Sequence, residues 1–286
     1  MTEATLFVVA TPIGNLDDLT PRARKVLGEV DIVAAEDTRV TGRLLSHFGI
    51  KTRQISLHEH NEERQVERLL QSLRDGRSVA LVSDAGTPLV SDPGYRLIRA
   101  ARDAGVPVSP IPGASAALAA LCVCGLSTDR FRFEGFLPAR RKALAARLAE
   151  LAREPVTVVI FESVHRIGET LQQLARAFGG NRRAFIGREL TKLHEQCVSA
   201  DLDTLAVMIA DGRIPRKGEF VIITEGASEA PPTALGFEIE SLLMALSEAL
   251  PAGQAAGVAA AVTGASRKDL YKRLLAMKSA NGGDNS

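Results

Sequence analysis

Val82-Ser-Asp-Ala-Gly-Thr-Pro-Leu-Val-Ser-Asp-Pro-Gly94 joins the apolar run Ser78-Val-Ala-Leu-Val82 to an amphipathic segment opening at Tyr95-Arg-Leu-Ile-Arg-Ala-Ala101. A short unbroken apolar run bounded by turn residues reads as a strand covered on both faces, and the spacing after the loop is helical. Glycine and proline in the joining loop let main chain approach a ligand and leave N–H and C=O groups exposed at the strand end. A second loop of this kind, Pro110-Ile-Pro-Gly-Ala-Ser-Ala116, follows the next apolar run. Two such loops at consecutive strand ends predict the wall of a ligand crevice.

The chain upstream repeats the pattern. Leu6-Phe-Val-Val-Ala10 reads as a buried strand ending in Thr11-Pro-Ile-Gly-Asn-Leu16, and Thr20-Pro21 offers a helix N-cap with proline at the first helical position. Val30 to Ala35 is a second strand, Val40 to Phe48 a helix, Gln54 to Leu57 a short strand. Val66, Leu69, Leu70 and Leu73 then mark one face of a helix that stops at Asp75-Gly76. Strands alternating with helices predict an α/β fold with a mostly parallel, covered sheet.

Beyond Cys124 the pattern weakens, then resumes as a second α/β unit with strands at Thr157 to Phe161, Arg183 to Gly187 and Glu219 to Thr224, and a helix from Asp201 to Asp211. The expected organisation is an N-terminal α/β domain over residues 1–122, a C-terminal α/β domain over 123–228, and a linker with a helical basic extension over 229–286. Gly, Ser and Pro in Glu225 to Pro232 mark the linker. Helices are expected at Phe237 to Leu250, Ala252 to Val262 and Arg267 to Met277, before a tail from Asn281.

Hydrophobic residues at 45% and charged residues at 24% of 286 are the composition of a globular enzyme. No apolar stretch reaches the eighteen or so residues of a membrane span, and no basic segment precedes an apolar one at the N-terminus, so neither a span nor a secretory signal is expected. Three cysteines, Cys122, Cys124 and Cys197, make no disulfide framework and read as small buried side chains in a reducing cytosol. A net charge of +1 leaves the attraction of an anionic partner to local basic patches. Neither phosphate-loop nor dinucleotide-binding glycine patterns occur. His58, His60 and His165, with Asp84 and Asp92, lack metal-ligand spacing, so no metal is expected.

Seven motifs in this order, Ala10-Thr-Pro-Ile-Gly-Asn-Leu16, Ala35-Glu-Asp-Thr-Arg39, Ser83 to Gly94, Pro112-Gly-Ala-Ser115, Phe161-Glu-Ser-Val-His165, Arg188-Glu-Leu-Thr-Lys192 and Lys217-Gly-Glu219, resemble the signature set of the bacterial 16S rRNA (cytidine-2′-O)-methyltransferases of the tetrapyrrole methylase superfamily. The resemblance covers about residues 5 to 278. It implies two α/β domains with S-adenosylmethionine in the cleft between them, a cytoplasmic homodimer, and methylation of a cytidine ribose in 16S rRNA of the assembled small ribosomal subunit. It also implies cofactor contacts at Gly86, Thr87, Pro88, Leu89, Ser115, Ala116, Phe161, Leu190 and Gly218. Thr87 stands where the wider superfamily has an acid, a departure typical of the rRNA branch.

Transfer of a sulfonium methyl to a ribose hydroxyl needs in-line alignment and removal of one proton. Glu36, Asp37, Glu162, His165, Lys192 and Glu195 all fall in strand-end motifs; among them Glu162 is the expected base or orienter, Lys192 the cation that lowers the hydroxyl's effective pKa, and Asp37 the ribose orienter. Arg140, Arg141 and Lys142 with Arg147, and Arg267, Lys268, Lys272 and Arg273, are candidate phosphate contacts, as are Arg39, Arg43 and Arg166 beside the expected site. With aromatics at only 4%, base stacking is a poor recognition mode, and shape, phosphates and ribose are favoured. Two other readings fit parts of the pattern: a tetrapyrrole C-methyltransferase, and a non-catalytic ribosome assembly factor with a vestigial cofactor site. The basic extension and Thr87 count against the first.

Overall fold

A computed structural model describes residues 4–58, 61–227 and 239–281, with side chains described as far as 277. His60, most of the expected linker, the start of the helix expected from Phe237, Lys278 and the expected tail beyond Asn281 lie outside the described residues or side chains. The described chain falls into two compact units, residues 1–226 and 227–286.

In the first unit, β1 (Leu6–Val9), β2 (Ile32–Ala35), β3 (Arg53–Ser56), β4 (Val79–Val82) and β5 (Val108–Ile111) form a sheet in the order β3-β2-β4-β1-β5. Every pairing in it is parallel. The helices α1 (Pro21–Glu29) and α2 (Thr38–His47) cover one face and α3 (Glu62–Arg74) and α4 (Tyr95–Asp103) the other. The strands alternate accordingly: Val33, Ala35, Ala80 and Val82 pack under α1 and α2, while Ile32, Ala34, Val79 and Leu81 pack under α3 and α4. Both faces being buried explains why β2 and β4 are apolar at every position.

The second sheet departs from the parallel expectation. Here β6 (Phe131–Phe136), β7 (Thr157–Glu162), β8 (Arg183–Arg188), β9 (Gln196–Asp201) and β10 (Phe220–Thr224) lie in the order β6-β7-β10-β8-β9. Only β6 and β7 run parallel; β10 is antiparallel to both its neighbours, and β8 to β9. The strand β9, with alternating exposure and polar content, carries no continuous apolar run, and a bulge between Phe133 and Gly135 interrupts β6. Both were therefore illegible as strands.

One face of this sheet is covered by α6 (Arg141–Leu151), α7 (Ile167–Phe178) and α8 (Leu202–Ala210). The other receives α5 (Ala116–Val123), the last helix of the first βα series. Ala117, Ala120 and Leu121 of α5 share a buried cluster with Ile13, Val159, Phe185 and Val221. The boundary expected at residue 122 thus falls at the end of a helix packed on the following sheet. Cys124 is buried in that cluster, but Cys122 and Cys197 are exposed, against the expectation for all three: Cys122 faces outward on α5 and Cys197 lies on the edge strand β9.

The second unit holds α9 (Ile239–Ala249), α10 (Ala252–Thr263) and α11 (Arg267–Asn281) around Leu243, Ala255, Ala256, Ala259, Leu270 and Leu274. Gly264, left-handed at φ +69°, ends α10 and turns the chain into α11.

Candidate functional site

A cleft of 430 Å³ opens where the C-terminal ends of the parallel strands face the second sheet, the place where open α/β sheets bind ligands. From the first sheet it is lined by Ile13, Glu36, the Asp84–Thr87 and Val90–Asp92 segments, and Ser115 with Ala116. Phe136, Phe161 to Val164, and Gly218 to Val221 line the opposite side.

The loop after β4 is held by main chain. Thr11 and Gly86 exchange two backbone hydrogen bonds, at 2.9 and 3.1 Å, and Thr87 Oγ1 donates to the Ala114 carbonyl at 3.0 Å. These bonds tie together the three strand-end loops that carry the first, third and fourth motifs. Gly86 is left-handed at φ +80°, and a Cβ there would stand 3.2 Å from Ile13 Cγ2. Farther along, Leu89 and Ser91 are also left-handed, at φ 75° and 72°. Glu62, on the first turn of α3, accepts from Gly94 N at 3.2 Å and Arg96 N at 3.3 Å, so it caps α4 and anchors the end of the loop.

A main-chain cradle at Gly86, apolar walls at Ile13, Phe161 and Val221, and the free N–H groups that open α5 at Ser115 and Ala116 suit a zwitterionic nucleoside ligand. Of the expected cofactor residues, Gly86, Thr87, Ser115, Ala116, Phe161 and Gly218 line the cleft. Pro88 is buried behind the loop and Leu89 turns away from it. Leu190 lies beneath the floor, in the cluster with Ile13 and Val221.

The expected catalytic residues are differently placed. Glu162 lines the cleft but is buried, with Oε1 accepting from Ser163 N at 2.7 Å and Oε2 from Thr170 Oγ1 at 2.6 Å. Both oxygens being engaged, Glu162 orients the start of α7. Asp37 caps α2 through Arg39 N and makes a bidentate pair with the Arg39 side chain, which holds its carboxyl down to about 2. A carboxylate so acidic is a poor proton acceptor. Lys192 Nζ binds Glu189 Oε1 at 2.7 Å and Glu219 Oε2 at 3.0 Å. Burial alone lowers its pKa, but these two carboxylates outweigh burial and raise it.

Asp84 and Asp92 have no metal-ligand spacing in the sequence and no expected role at the site. Both line the cleft, and burial pushes both carboxyls above the ordinary value, that of Asp92 further through the charge of Asp84 and against a hydrogen bond from Ser83. Asp84 Oδ1 accepts from Asp37 N at 2.9 Å, and Asp84 N donates to Glu36 Oε2 at 3.4 Å. Their position in the opening loop was a usable signal. Ile13, Phe136 and Val221, the apolar lining, carried none beyond their place at strand ends.

Among the basic candidates, Arg39, Arg43, Arg140, Arg141 and Lys142 are exposed, as are Lys268, Lys272 and Arg273. Arg166 instead donates to the Leu137 and Pro138 carbonyls at 2.9 and 3.2 Å, which fixes the turn between β6 and α6. Arg147 is held by both oxygens of Glu134 and by Glu150. Arg267 donates to the Gly253 carbonyl. Among the described residues no group of three or more His, Cys, Asp or Glu is arranged to hold a metal, and no helix is long and apolar enough to cross a membrane.

Residues 5–206 match the model of the tetrapyrrole (corrin/porphyrin) methylases, and residues 233–278 that of the RsmI C-terminal HTH domain. The ribosomal RNA small subunit methyltransferase I of Xylella fastidiosa (strain Temecula1) is 51% identical over 94% of this chain and 98% of its own length. That of Escherichia coli O157:H7 is 45% identical over 96% of this chain and 95% of its own. Two solved structures share the fold. The methyltransferase CobJ superposes with a TM-score of 0.59 at 20% identity, covering 82% of this chain and 97% of its own. The Thermus thermophilus uroporphyrin-III C-methyltransferase complexed with S-adenosylhomocysteine gives 0.54 at 22% identity, covering 78% and 97%. The chain belongs to the tetrapyrrole (corrin/porphyrin) methylase family, in its ribosomal RNA small subunit methyltransferase I branch, and is an S-adenosylmethionine-dependent methyltransferase.

Proposed function

We propose that this chain methylates the 2′-hydroxyl of a cytidine ribose in 16S rRNA, acting on the assembled small ribosomal subunit as a cytoplasmic homodimer. The observation that carries this reading is the match of both units, the α/β body and the C-terminal helices, to relatives named for ribosomal RNA.

S-adenosylmethionine, when bound, supplies an electrophilic methyl group. Gly86, its N–H and C=O paired with Thr11, would let the ligand approach the loop with no side chain in the way, Thr87 would line the same side, Ser115 and Ala116 would offer helix-start N–H groups to its carboxylate, and Phe161 with Ile13 would give an apolar wall. The ribose oxygen that takes the methyl group would lose its proton to the Asp92 carboxylate at the cleft wall, while the electron pair of the broken carbon–sulfur bond would stay with the cofactor sulfur, which leaves as S-adenosylhomocysteine. Burial and the charge of Asp84 raise the proton affinity of Asp92 toward the working range. Glu162 orients Ser163 and the start of α7 at the far wall. Lys192, Glu189 and Glu219 form the clamp at the cleft margin. Arg39, Arg43, Arg140, Arg141 and Lys142 on the first unit, and Lys268, Lys272 and Arg273 on the second, contact phosphates.

The test is incubation with labelled S-adenosylmethionine and either 30S subunits, protein-free rRNA or a porphyrinogen. Labelled 2′-O-methylcytidine in digests of the 30S reaction is expected; label on the porphyrinogen, or on no substrate, overturns the reading.

A further inference from the structure

A second concavity, of 540 Å³, lies along the edge of the first sheet between β3 and α3, away from the residues of the reaction cleft. Four arginines from three elements line it: Arg53 at the start of β3, Arg64 and Arg68 on α3, and Arg77 before β4. Arg77 is paired with Asp75 at 3.1 Å. The side chains of Arg53, Arg64 and Arg68 have no ion pair or hydrogen bond to another described residue. Glu67 is the one acid among the lining residues. With one acid among the lining residues, the three unpaired guanidinium groups make the groove locally positive and leave their donors available to an anion.

The spacing favours a chain of anions over a single one. Arg64 and Arg68 stand one helical turn apart on the same face of α3, about 6 Å along its axis, and Arg53 extends the row to the sheet edge. Glu62, two residues before Arg64 but not on its face of the helix, accepts from Gly94 N, so the first turn of α3 is tied to the end of the cleft loop. A strand that follows α3 from this turn meets Arg64 before Arg68. Guanidinium is the group suited to bidentate pairing with phosphate oxygens.

We infer that the β3–α3 groove binds the phosphodiester backbone of the RNA substrate flanking the methylated nucleotide, through Arg53, Arg64 and Arg68. The inference rests on the RNA reading of the cleft and adds to it a site that positions the substrate without touching the reacting atoms.

The test compares the wild-type chain with an Arg53→Ala/Arg64→Ala/Arg68→Ala triple variant and the corresponding triple lysine variant, in binding to 30S subunits across a salt series. Each lost phosphate contact lowers the slope of log affinity against log salt by about 0.7 to 0.9. The alanine variant is expected to bind at least tenfold more weakly with a slope shallower by about 2 to 3, while the lysine variant keeps most of the slope and both keep wild-type affinity for S-adenosylmethionine. Wild-type affinity and slope in the alanine variant overturn the groove. So does a loss that persists on 30S subunits but is absent on the 16S rRNA fragment carrying the target cytidine, an outcome that assigns the groove to an acidic protein surface. Methyl transfer by the wild type is read separately: binding that depends on the arginines, with no 2′-O-methylcytidine formed, retains the groove and overturns the proposed reaction.

Discussion

The side chain of Lys192 lies across the backbone of Gly14, so close that a Cβ added to the glycine would stand 2.2 Å from Lys192 Cγ. The contact brings the loop after β1 against the loop after β8, and it lets Lys192 reach Glu189 and Glu219 at the cleft margin. Gly14 is required here for space, since its φ is not in the left-handed region.

Replacing Gly14 with alanine should therefore displace the lysine and cost about 1–3 kcal/mol, the range for overpacking. In a Lys192→Ala background the same change should cost much less. Chemical denaturation of the four proteins in that cycle measures the difference; additive costs would show that Gly14 meets something other than Lys192.

Gly86→Ala and Gly76→Ala separate backbone strain from the cofactor cradle. Both glycines are left-handed, at φ +80° and +85°, but a Cβ at Gly76 meets nothing within 4 Å, while at Gly86 it meets Ile13 Cγ2 at 3.2 Å. Each should lose about 1–2 kcal/mol of stability. Only Gly86→Ala should also weaken S-adenosylmethionine, by tenfold or more in calorimetry.

Thr170→Val removes the hydroxyl that donates to buried Glu162 Oε2 at 2.6 Å. A buried carboxylate that loses a donor costs about 1–3 kcal/mol or more, and urea denaturation should show a loss of that size. Thr170→Ser keeps the donor and should recover most of it.

The carboxyl of Asp92 is raised above its ordinary value of 3.8, first by burial and then by the charge of Asp84, against a hydrogen bond from Ser83. A raised acid is held more tightly protonated by the folded chain than by the unfolded one. Its ionisation therefore weakens the fold as pH rises from 3.8 through the raised value. Asp92→Asn should accordingly be more stable than wild type at neutral pH and no different below 3.8. It should abolish methyl transfer while keeping cofactor affinity. Asp84→Asn removes the neighbouring like charge, so the acid limb of the pH–rate profile should move to lower pH. A limb that stays in place would take Asp84 out of the coupling.

Residues 227–286 form a separate compact unit with their own buried cluster. A chain ending at residue 226 should keep its fold and its cofactor affinity but bind 30S subunits more weakly, with a shallower salt dependence. Equal subunit binding would confine the C-terminal helices to packing.

The first sheet was legible because its inner strands β2 and β4 are buried on both faces, which makes Val79-Ala-Leu-Val82 apolar at every position and its boundaries sharp. β9 was missed because an edge strand alternates and mixes polarity. The antiparallel insertion of β10 between β7 and β8 was invisible for a different reason: strand order is set by long-range pairing, and no local residue pattern encodes which neighbour a strand takes.

Among site residues, local chemistry identified the loops and tertiary contacts assigned the roles. Small residues and prolines marked the two loops as places where main chain can approach a ligand, and the family resemblance implied Gly86, Thr87, Ser115 and Ala116 within them. By itself the sequence also determined the family, through seven motifs in order, and the separate basic extension. Only the tertiary structure decided that Asp37, Arg147 and Arg166 are consumed by partners, that both oxygens of Glu162 are satisfied, and that Asp92 is a half-buried acid lining the cleft. A side chain's residue type fixes what it can donate or accept, but its proton affinity and availability are set by burial and by groups far away in sequence, which meet it only when the chain is folded.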